Sequence, residues 1–354
     1  MDTNPIVPSK VAFYDIDGTP IAEVQGVAPR SWRLNNVGQA SLQLSILDEK
    51  CRRDVLEFGR LVVISHEKLG LWSGPVDTPR EWGGYLMTVN AYSAEKLLDW
   101  RHGRMQMLKG TAGEIFEKIV MAANQEGDTL LRVGEIWTGG TNRQRELDYK
   151  SLLKEAQELA KLADNEFGVE PEIQVDGKLI YRAHWWQRRG AECAEGLKDG
   201  GEGANMEVDQ KSLREQGEIW NDITGYGDGA TWSSRPIFRG TDEDSIRQFG
   251  RRQKAQWFSG VKEESTLEEN VESMLAEQAW PRKTFPCSAL NVGNTWRNIR
   301  LGNRMPVEQR LEGFSDSGGV GTVTTGRVME YSYSEAMQKV PLTMDEVRDD
   351  IPRP

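Results

Sequence analysis

Two aspartates near the start of the chain, Asp15 and Asp17, have the type and spacing that phosphoryl transfer can use. They lie in the sequence Asp-Ile-Asp-Gly-Thr, directly after the short apolar run Val-Ala-Phe-Tyr. In such a pair the first carboxylate attacks phosphorus and the second handles the proton of the leaving group. The chemistry also requires a parallel sheet, a downstream lysine and an acidic pair that completes a magnesium site.

This motif resembles the nucleophile motif of the haloacid-dehalogenase type of phosphohydrolase, which would make the chain an enzyme that uses Asp15 and Asp17. The segments after Thr19, however, have the pattern of antiparallel strands and not of alternating strands and helices. The late acidic cluster, residues 345–350, falls in a polar stretch. We therefore favour a β-hairpin that turns at Asp17-Gly18, and we keep the phosphohydrolase as the alternative.

The histidines and cysteines do not extend this chemistry. The three histidines lie far apart, and none has the spacing of a metal site or of a catalytic base. The three cysteines are isolated and odd in number, which favours neither a disulfide framework nor a metal knuckle. These six residues are His66, His102, His184, Cys51, Cys193 and Cys287. The sequence therefore indicates no catalytic residues, no cofactor and no metal.

Length and charge narrow the class of protein further. A chain of 354 residues exceeds the usual size of one domain, so we expect two to four packed units. The net charge of -11 argues against an outer surface that wraps around nucleic acid. The sequence shows neither an apolar membrane span nor a secretion signal, so we expect a soluble product of the cytoplasm. Twelve tryptophans favour a component of an assembly.

Residues 1–105 have the pattern of an antiparallel β domain. After the first hairpin, residues 40, 42, 44 and 46 are apolar and alternate with polar neighbours, as in a half-buried strand. A helix-like link at residues 50–58 precedes two strands about a tight turn. A further strand then leads into a short helix that ends near Arg101. So many antiparallel strands predict a small barrel or sandwich.

Residues 106–210 combine helices with a hairpin. Thr111 and Glu114 form a predicted capping box for a helix over residues 111–124, and a second amphipathic helix is predicted over residues 148–164. A hairpin about Asp176-Gly177 follows. The glycine-rich, acidic segment at residues 190–210 has no periodicity and is predicted to be a linker.

Residues 211–337 begin with a strand near Ile219 and a charged loop at residues 241–252. Ser265 and Glu268 suggest a capping box for a helix that Pro281 ends. Its predicted buried face consists of Leu267, Val271, Met274 and Leu275. Strand-like segments broken by glycine and proline follow. Residues 338–354 are polar, and we expect this tail to dock on a neighbour or to fray.

Two sets of motifs occur in a characteristic order. The N-terminal set is Leu-Gly-Leu-Trp-Ser-Gly-Pro-Val-Asp and a strand that closes on a short helix with Leu97, Leu98 and Arg101. The C-terminal set is Asn221, Ser245-Ile246, Phe249-Gly250, Pro281 and Leu301-Gly302-Asn303. In this order the motifs resemble the phage tail hub family, which comprises the baseplate-hub and tail-tip proteins related to the hub part of type VI secretion spikes. Asn303 departs from the aspartate that is usual in the family.

The resemblance implies an α+β fold with two antiparallel, barrel-like domains that resemble tail-tube subunits, at residues 1–105 and 211–337, on either side of the middle region. It implies a structural virion protein of the tail, a homotrimeric hub that closes the tail tube and adapts its sixfold symmetry to a threefold tip. Expected partners are a distal tail or tail-tube protein ring, the tape measure protein and a central fibre or spike. DNA would pass only transiently through the lumen. A hub of a secretion spike or contractile injection particle is the related alternative.

The family also suggests where subunits meet. We expect the charged loop at residues 241–252 to face a neighbouring subunit, together with a nearby aromatic side chain. The predicted interface residues are Asp242, Asp244, Arg247, Arg251, Arg252 and Trp257. Interface use would also account for the closeness of Trp220, Trp232 and Trp257 in the sequence. The less favoured alternative is a nucleic-acid patch made of Arg251, Arg252, Lys254, Trp257 and Phe258.

Overall fold

The structure, a computed structural model, describes residues 9–208, 214–309, 322–337 and 339–347. Its strands are mostly antiparallel, and six α-helices accompany them in the described part of the chain. The fold is therefore mostly β within the broader α+β class that the sequence predicts.

The N-terminal part is a run of strands that ends in one helical turn. These elements are β1 (Lys10–Tyr14), β2 (Pro20–Val24), β3 (Gly26–Val27), β4 (Arg30–Arg33), β5 (Gln39–Ser45), β6 (Leu61–His66), β7 (Gly70–Gly83), β8 (Leu86–Tyr92) and α1 (Lys96–Asp99). The predicted hairpin at Asp17-Gly18 is confirmed, because β1 and β2 pair antiparallel on either side of it.

The alternating pattern of β5 holds for Ala40, Leu42 and Leu44, which are all buried. Ile46 lies beyond the end of the strand and is exposed, so its predicted burial is wrong. Residues 50–58 form successive turns instead of the predicted helix-like link. Strand β7 continues as far as Gly83 because it pairs with β8 along that length, which its own sequence pattern does not indicate.

The middle region has two helices and two small sheets. Its elements are β9 (Gln106–Gly110), α2 (Ala112–Ala123), β10 (Leu131–Ile136), β11 (Arg143–Leu147), α3 (Leu152–Ala163), β12 (Glu166–Ile173) and β13 (Leu179–Trp186). The capping box of α2 is confirmed, with both hydrogen bonds between Thr111 and Glu114 present. Helix α3 begins later than predicted, because the side chain of Ser151 accepts the backbone N–H of Lys154 and so caps the helix there.

The C-terminal part contains the remaining strands and helices. They are β14 (Leu197–Lys198), β15 (Met206–Val208), β16 (Arg214–Gln216), β17 (Asp222–Tyr226), a 3-10 helix (Trp232–Ser234), β18 (Ile237–Thr241), α4 (Glu243–Phe249), β19 (Gln253–Trp257), α5 (Glu264–Gln278), β20 (Arg282–Leu290), α6 (Thr295–Asn298), β21 (Arg304–Gln309), β22 (Thr322–Tyr333) and β23 (Lys339–Glu346).

Three predictions for this part are wrong. The charged loop is largely helix α4, which Asp242 caps and Gly250 ends. Helix α5 begins at Glu264, so Ser265 lies inside it and no side chain caps its start. Residues 339–346 of the predicted polar tail form β23, a strand hydrogen-bonded to β20 on one side and β22 on the other. Residues 348–354 lie outside the described residues.

The predicted linker also contains structure. Strand β14 pairs with β21 and strand β15 pairs with β20, so both join the C-terminal strands. Leu197 and Met206 are buried in the hydrophobic core there. Apolar residues at only a few positions of a glycine-rich segment are enough to anchor it when neighbouring strand edges are free.

One sheet joins the two ends of the chain. Its order is β15-β20-β23-β22-β4-β5-β8-β7-β6-β1-β2, and β4 with β22 makes the junction between the N-terminal and C-terminal strands. This path does not return on itself within the described residues, so a closed barrel is not observed there. Separate hydrophobic clusters nevertheless lie in the N-terminal, middle and C-terminal parts. A small sheet of order β18-β17-β19 stands apart with α5.

Candidate subunit interface

The predicted interface residues lie on and around the small three-stranded sheet. Strand β17 is central, antiparallel to β18 and parallel to β19. Helix α5 covers one face, where Leu267 and Val271 pack on Ile223. A Cβ atom on Gly225 would lie 2.3 Å from Val271 Cγ2, so only glycine permits this close approach. The predicted buried face of this helix is confirmed at Leu267 and Val271, whereas Met274 and Leu275 are only partly buried.

The opposite side of the small sheet, which we call the outer sheet face, carries the alternate residues of each strand. Residues 223 and 225 point toward α5, and their neighbours in β17 and the cross-strand partners of those neighbours therefore point away. The outer sheet face consists of Thr241, Asp222 and Gln253, then Arg239, Thr224 and Ala255, and then Ile237, Tyr226 and Trp257. Its edge residues, on β18 and β19, are all exposed. Arg251, which precedes β19, joins this face through its hydrogen bond to Asp222.

One end of the outer sheet face is positively charged. Arg239 donates to both carboxylate oxygens of Asp222, at 2.7 and 2.5 Å. Arg251 donates to the same carboxylate at 2.7 Å and Gln253 at 3.0 Å. The hydrogen bonds from Arg239 are the largest cause of a pKa of Asp222 held far below its usual range. The Asp222 side chain is 1% exposed, whereas those of Arg239 and Arg251 are 49% and 46% exposed, so one cationic charge remains at the surface.

The other end of the outer sheet face is apolar. Ile237 is 60% exposed and Trp257 is 50% exposed. The indole N–H of Trp257 donates to Asp228 Oδ1 at 2.9 Å, and Asp228 also accepts from the backbone N–H of Gly260 at 2.7 Å. These bonds hold the ring of Trp257 in place while its face stays open to solvent. A large, oriented aromatic group of this kind is typical of protein interfaces.

The acidic residues of α4 have different surroundings. Asp242 caps the helix by accepting from the Ser245 N–H at 2.8 Å, and it also accepts from the Trp280 indole at 2.8 Å. Its carboxylate therefore serves the fold. Asp244 and Arg247 form an exposed ion pair on the helix surface, where both remain available to a neighbour. Their role at an interface remains a prediction.

The backbone of Arg252 takes part in a hydrogen bond of the fold, while its side chain is exposed. Its backbone N–H donates to the buried Asn221 at 2.7 Å. Its side chain is exposed, and no ion pair involves it within the part of the chain that the structure describes. The side chain of Trp232 is not among those that the structure describes.

The nucleic-acid alternative is weakened because its residues do not share a surface. Arg251 and Trp257 lie on the outer sheet face. Lys254 lies on the side of α5, where its ammonium group contacts Gln278 Oε1 at 3.2 Å and lies over the ring of Trp220. Phe258 packs against the core beneath α5. Of the two aromatic residues of this patch, Trp257 therefore lies on the same surface as Arg251, whereas Phe258 does not.

Asp15 and Asp17 lie in the turn of an antiparallel hairpin. Strand β1 is antiparallel to both of its neighbours, β2 and β6, whereas the phosphohydrolase motif requires a parallel sheet. Asp15 pairs with Arg60. Asp17 accepts the backbone N–H of Thr19 at 2.9 Å, and this bond is the largest cause of its lowered pKa. Both carboxylates thus have a structural explanation.

The three histidines differ in burial: His66 is buried, His184 is partly buried and His102 is exposed. His66 is 4% exposed, and its Nδ1 accepts the backbone N–H groups of Lys68 and Leu69 at 3.2 Å each. Burial, followed by the nearby charge of Arg30, lowers the pKa of His66 to about 4. His102 is exposed and lies near Tyr149, and His184 stacks on Trp186. The three cysteines are free thiols.

Two structural features that would reveal other kinds of site were not found in the described residues. Groups of three or more His, Cys, Asp or Glu side chains arranged to hold a metal are absent there. The helices of residues 9–208, 214–309, 322–337 and 339–347 also lack the combination of length and apolar character that crossing a bilayer requires.

The sequence indicated Arg251 and Trp257 as interface residues. It did not indicate Asp222 and Arg239, which form the charged group with Arg251, or the exposed Ile237 beside Trp257. The sequence signal for this surface is the alternation of exposed and partly buried residues along the two edge strands, Ile-Phe-Arg-Gly-Thr in β18 and Gln-Lys-Ala-Gln-Trp in β19. Both segments are short and lack a continuous apolar side, so they resemble loops until the central strand is placed between them.

Comparison with known proteins identifies the fold. No protein-family model matches the sequence, and a sequence search of curated proteins finds no match. Solved structures do match. The chain is similar to the 43 kDa tail protein of prophage MuSo2 from Shewanella oneidensis, with a TM-score of 0.59, 12% identity, and coverage of 96% of this chain and 99% of that one.

Two further tail proteins match over similar lengths. The tail protein from Neisseria meningitidis MC58 has a TM-score of 0.59 and 11% identity, with 96% of this chain and 97% of that chain covered. The prophage tail protein gp18 from Listeria monocytogenes EGD-e has a TM-score of 0.58 and 10% identity, with 96% and 95% covered. At such low identity the likeness shows the fold alone. The predicted resemblance to phage tail proteins is confirmed at that level.

Proposed function

We propose that the chain is a structural protein of a phage tail and acts as a homotrimeric hub that closes the tail tube. One observation carries this proposal, the likeness in fold to three prophage or bacterial tail proteins over 96% of this chain and at least 95% of each of theirs. The match covers two nearly complete chains in each case, so the proposal is a fold analogy for the whole molecule and not for one domain. In this role the protein needs no active site.

Two tube-like units would lie at residues 1–105 and 211–337, with residues 106–210 as the α+β region between them. Two observations support this division. The N-terminal and C-terminal parts have separate hydrophobic clusters, and the two sets of strands meet at the pairing of β4 with β22. The short strands β14 and β15 and the strand β23 extend the C-terminal unit beyond those limits. Three copies would present six such units, which adapts a sixfold tube to a threefold tip.

The trimer contact would use the outer sheet face together with α4. Arg251, Arg252, Asp244, Arg247 and Trp257 present exposed charge and one oriented aromatic ring there. Asp242 would contribute indirectly by holding α4 in place.

A second exposed surface suits the expected ring of distal tail or tail-tube protein. It lies at the tip of the β7–β8 hairpin and the adjoining end of β5. Trp82, Tyr85, Leu86 and Leu47 are between 51% and 75% exposed there. Exposed apolar groups in such numbers mark interaction sites on proteins. The tape measure protein and a central fibre or spike would meet the trimer near its axis, and DNA would pass the lumen only transiently, in the virion tail.

A hub of a secretion spike or contractile injection particle is the second candidate. The observation in its favour is a match to a PdpA-VgrG complex, with a TM-score of 0.51, 8% identity and coverage of 98% of this chain and 66% of that one. This candidate changes the partner and leaves the trimeric hub unchanged. The phosphohydrolase alternative finds no such support, since Asp15 and Asp17 lie in an antiparallel hairpin turn.

The copy number of the chain in purified particles tests the proposal. We expect three copies per tail tip, and a trimer in solution by sedimentation at high protein concentration. Six copies per tip, or copies distributed along the tail, would contradict a hub. Turnover of a generic phosphomonoester with magnesium that Asp15→Asn abolishes would favour the phosphohydrolase instead.

A further inference from the structure

The outer sheet face is a cationic surface on an acidic protein. The whole chain has a net charge of -11. On this face Arg239 and Arg251 share the single carboxylate of Asp222, and both guanidinium groups are about half exposed. Each therefore keeps N–H donors that face solvent. The matching surface on a partner must supply carboxylates.

Helix α5 of the same unit carries such carboxylates. Glu264, Glu268 and Glu272 are spaced four residues apart and so lie along one flank of the helix. None of the three forms an ion pair within the described part of the chain, whereas their neighbour Glu269 pairs with Arg143 at 2.8 Å. We call these three residues the acidic flank. Like charges at this spacing repel one another, so a cationic partner would stabilise them.

The two surfaces look in different directions. Leu267 points at the sheet, and each residue turns the direction by about 100° around an α-helix. Around the helix axis Glu268 therefore points about 100° and Glu272 about 140° away from the direction of Leu267, which is also the direction in which the outer sheet face looks. A head-to-tail contact between two such different surfaces closes into a ring when the rotation from one copy to the next completes a full turn, and otherwise builds an open filament.

We propose that the outer sheet face of one copy binds the acidic flank of α5 on the next copy, head to tail around the trimer. This inference rests on the homotrimer of the proposed function and specifies its contact. Arg239 and Arg251 would pair with Glu268 and Glu272, and Ile237 and Trp257 would pack beside them.

Charge reversal on each surface tests the pairing. The first variant combines Arg251→Glu with Ala255→Glu and leaves the bidentate bond between Arg239 and Asp222 in place. The second combines Glu268→Arg with Glu272→Arg. Each should weaken trimer formation on the order of 100-fold, measured by sedimentation over a range of concentrations. A chain that carries all four changes should regain most of the lost affinity, because both surfaces then have opposite charges again.

Control variants separate a broken contact from a misfolded chain. Arg53→Glu changes an 87% exposed side chain in the N-terminal part and should leave the trimer intact. Each variant should keep the far-ultraviolet circular dichroism and the melting temperature of the parent monomer. If a sheet-face variant fails to fold, Trp257→Ser provides a second test without an added charge, and it should also weaken the trimer.

The outcomes distinguish this inference from the proposed function. A stable wild-type trimer that either reversal leaves intact overturns the pairing but keeps the hub. Loss of the trimer in both single-surface variants without recovery in the combined chain also overturns the pairing. Loss with the sheet-face variant alone shows that this face meets another surface, which again overturns it. A chain that is monomeric both in solution and in particles overturns the hub itself.

Discussion

Asp222 shows how one buried carboxylate can order the exposed side chains around it. It accepts hydrogen bonds from Arg239, Arg251 and Gln253 and is almost fully covered by them. Its carboxylate holds both guanidinium groups close to the sheet through these hydrogen bonds. Ordering long side chains before binding removes part of the entropy cost that a partner would otherwise meet. The outer sheet face is thus preorganised, and Trp257 is held in the same way by Asp228.

His66 is expected to make the stability of the folded protein depend on pH in the acidic range. Its pKa is about 4 in the folded protein, against an ordinary value of 6.5, because of burial and then of the charge of Arg30. Since the folded-state pKa is the lower one, the unfolded chain binds the proton first as the pH falls. We expect His66 to reduce the free energy of unfolding by up to about 3 kcal/mol as the pH falls from 6.5 to 4.

Urea denaturation across this pH range checks the expectation. His66→Asn keeps an acceptor for the backbone N–H groups of Lys68 and Leu69 and cannot be protonated, so the slope of stability against pH should flatten. His102→Asn changes an exposed ring and should keep the wild-type slope. An unchanged slope in His66→Asn would contradict the role of this histidine.

Two helices illustrate what a capping motif does and does not decide. The Thr111 and Glu114 box starts α2, whereas the matching pair of Ser265 and Glu268 lies inside α5. The start of α2 is held by two local hydrogen bonds that need no other part of the protein. The extra residues at the start of α5 follow from its packing on β17 and β18, which brings Leu267 to the core. Tertiary contact thus overrides a weak local signal.

The difference between the helices can be measured. Thr111→Ala removes the side-chain cap and should lower the free energy of unfolding by about 1 kcal/mol. Ser265→Ala removes an exposed hydroxyl from within a helix and should change it by less than about 0.5 kcal/mol. Chemical denaturation of both variants provides the comparison. A larger loss for Ser265→Ala would mean that Ser265 caps α5 in solution.

The whole molecule is held together by the joined sheet and by a charged contact beneath it. Arg327 of β22 donates to both carboxylate oxygens of the buried Glu166 of β12, each at 2.6 Å. Glu166 also accepts the backbone N–H of Arg189 at 2.8 Å. This network connects the middle region to the C-terminal strands. Its arrangement fixes the middle region relative to the main sheet, which the proposed hub would need for its surfaces to meet their partners in register.

Removing one partner of the ion pair between Arg327 and Glu166 should strongly lower the free energy of unfolding. Arg327→Met leaves the Glu166 carboxylate buried without its main donor, and we expect a loss of about 3 kcal/mol in unfolding free energy. The double variant with Glu166→Gln should recover part of this loss, since no charge is then buried. As a control, Arg33→Met breaks the exposed ion pair between Arg33 of β4 and Glu330, which lies on β22 as Arg327 does. This change should lower the free energy of unfolding by at most about 1 kcal/mol. Equal losses for Arg327→Met and Arg33→Met would contradict the structural role of the network.

The sequence alone determined the parts whose physics is local. The hairpins at Asp17-Gly18 and Asp176-Gly177 and the capped helix α2 follow from turn and capping chemistry that involves only nearby residues. The order of such motifs was also enough to indicate a fold of tail proteins, which the structural matches bear out.

Only the tertiary structure decided the parts that depend on distant partners. Residues 339–346 read as a polar tail, yet they form a strand of the sheet, because β20 and β22 offer edges on both sides and Val340, Leu342 and Met344 fill the core. The outer sheet face likewise exists only once β17 lies between β18 and β19. Strand pairing over long separations in sequence carries no local signature, so neither the sheet order nor a surface assembled across strands could be derived from neighbouring residues.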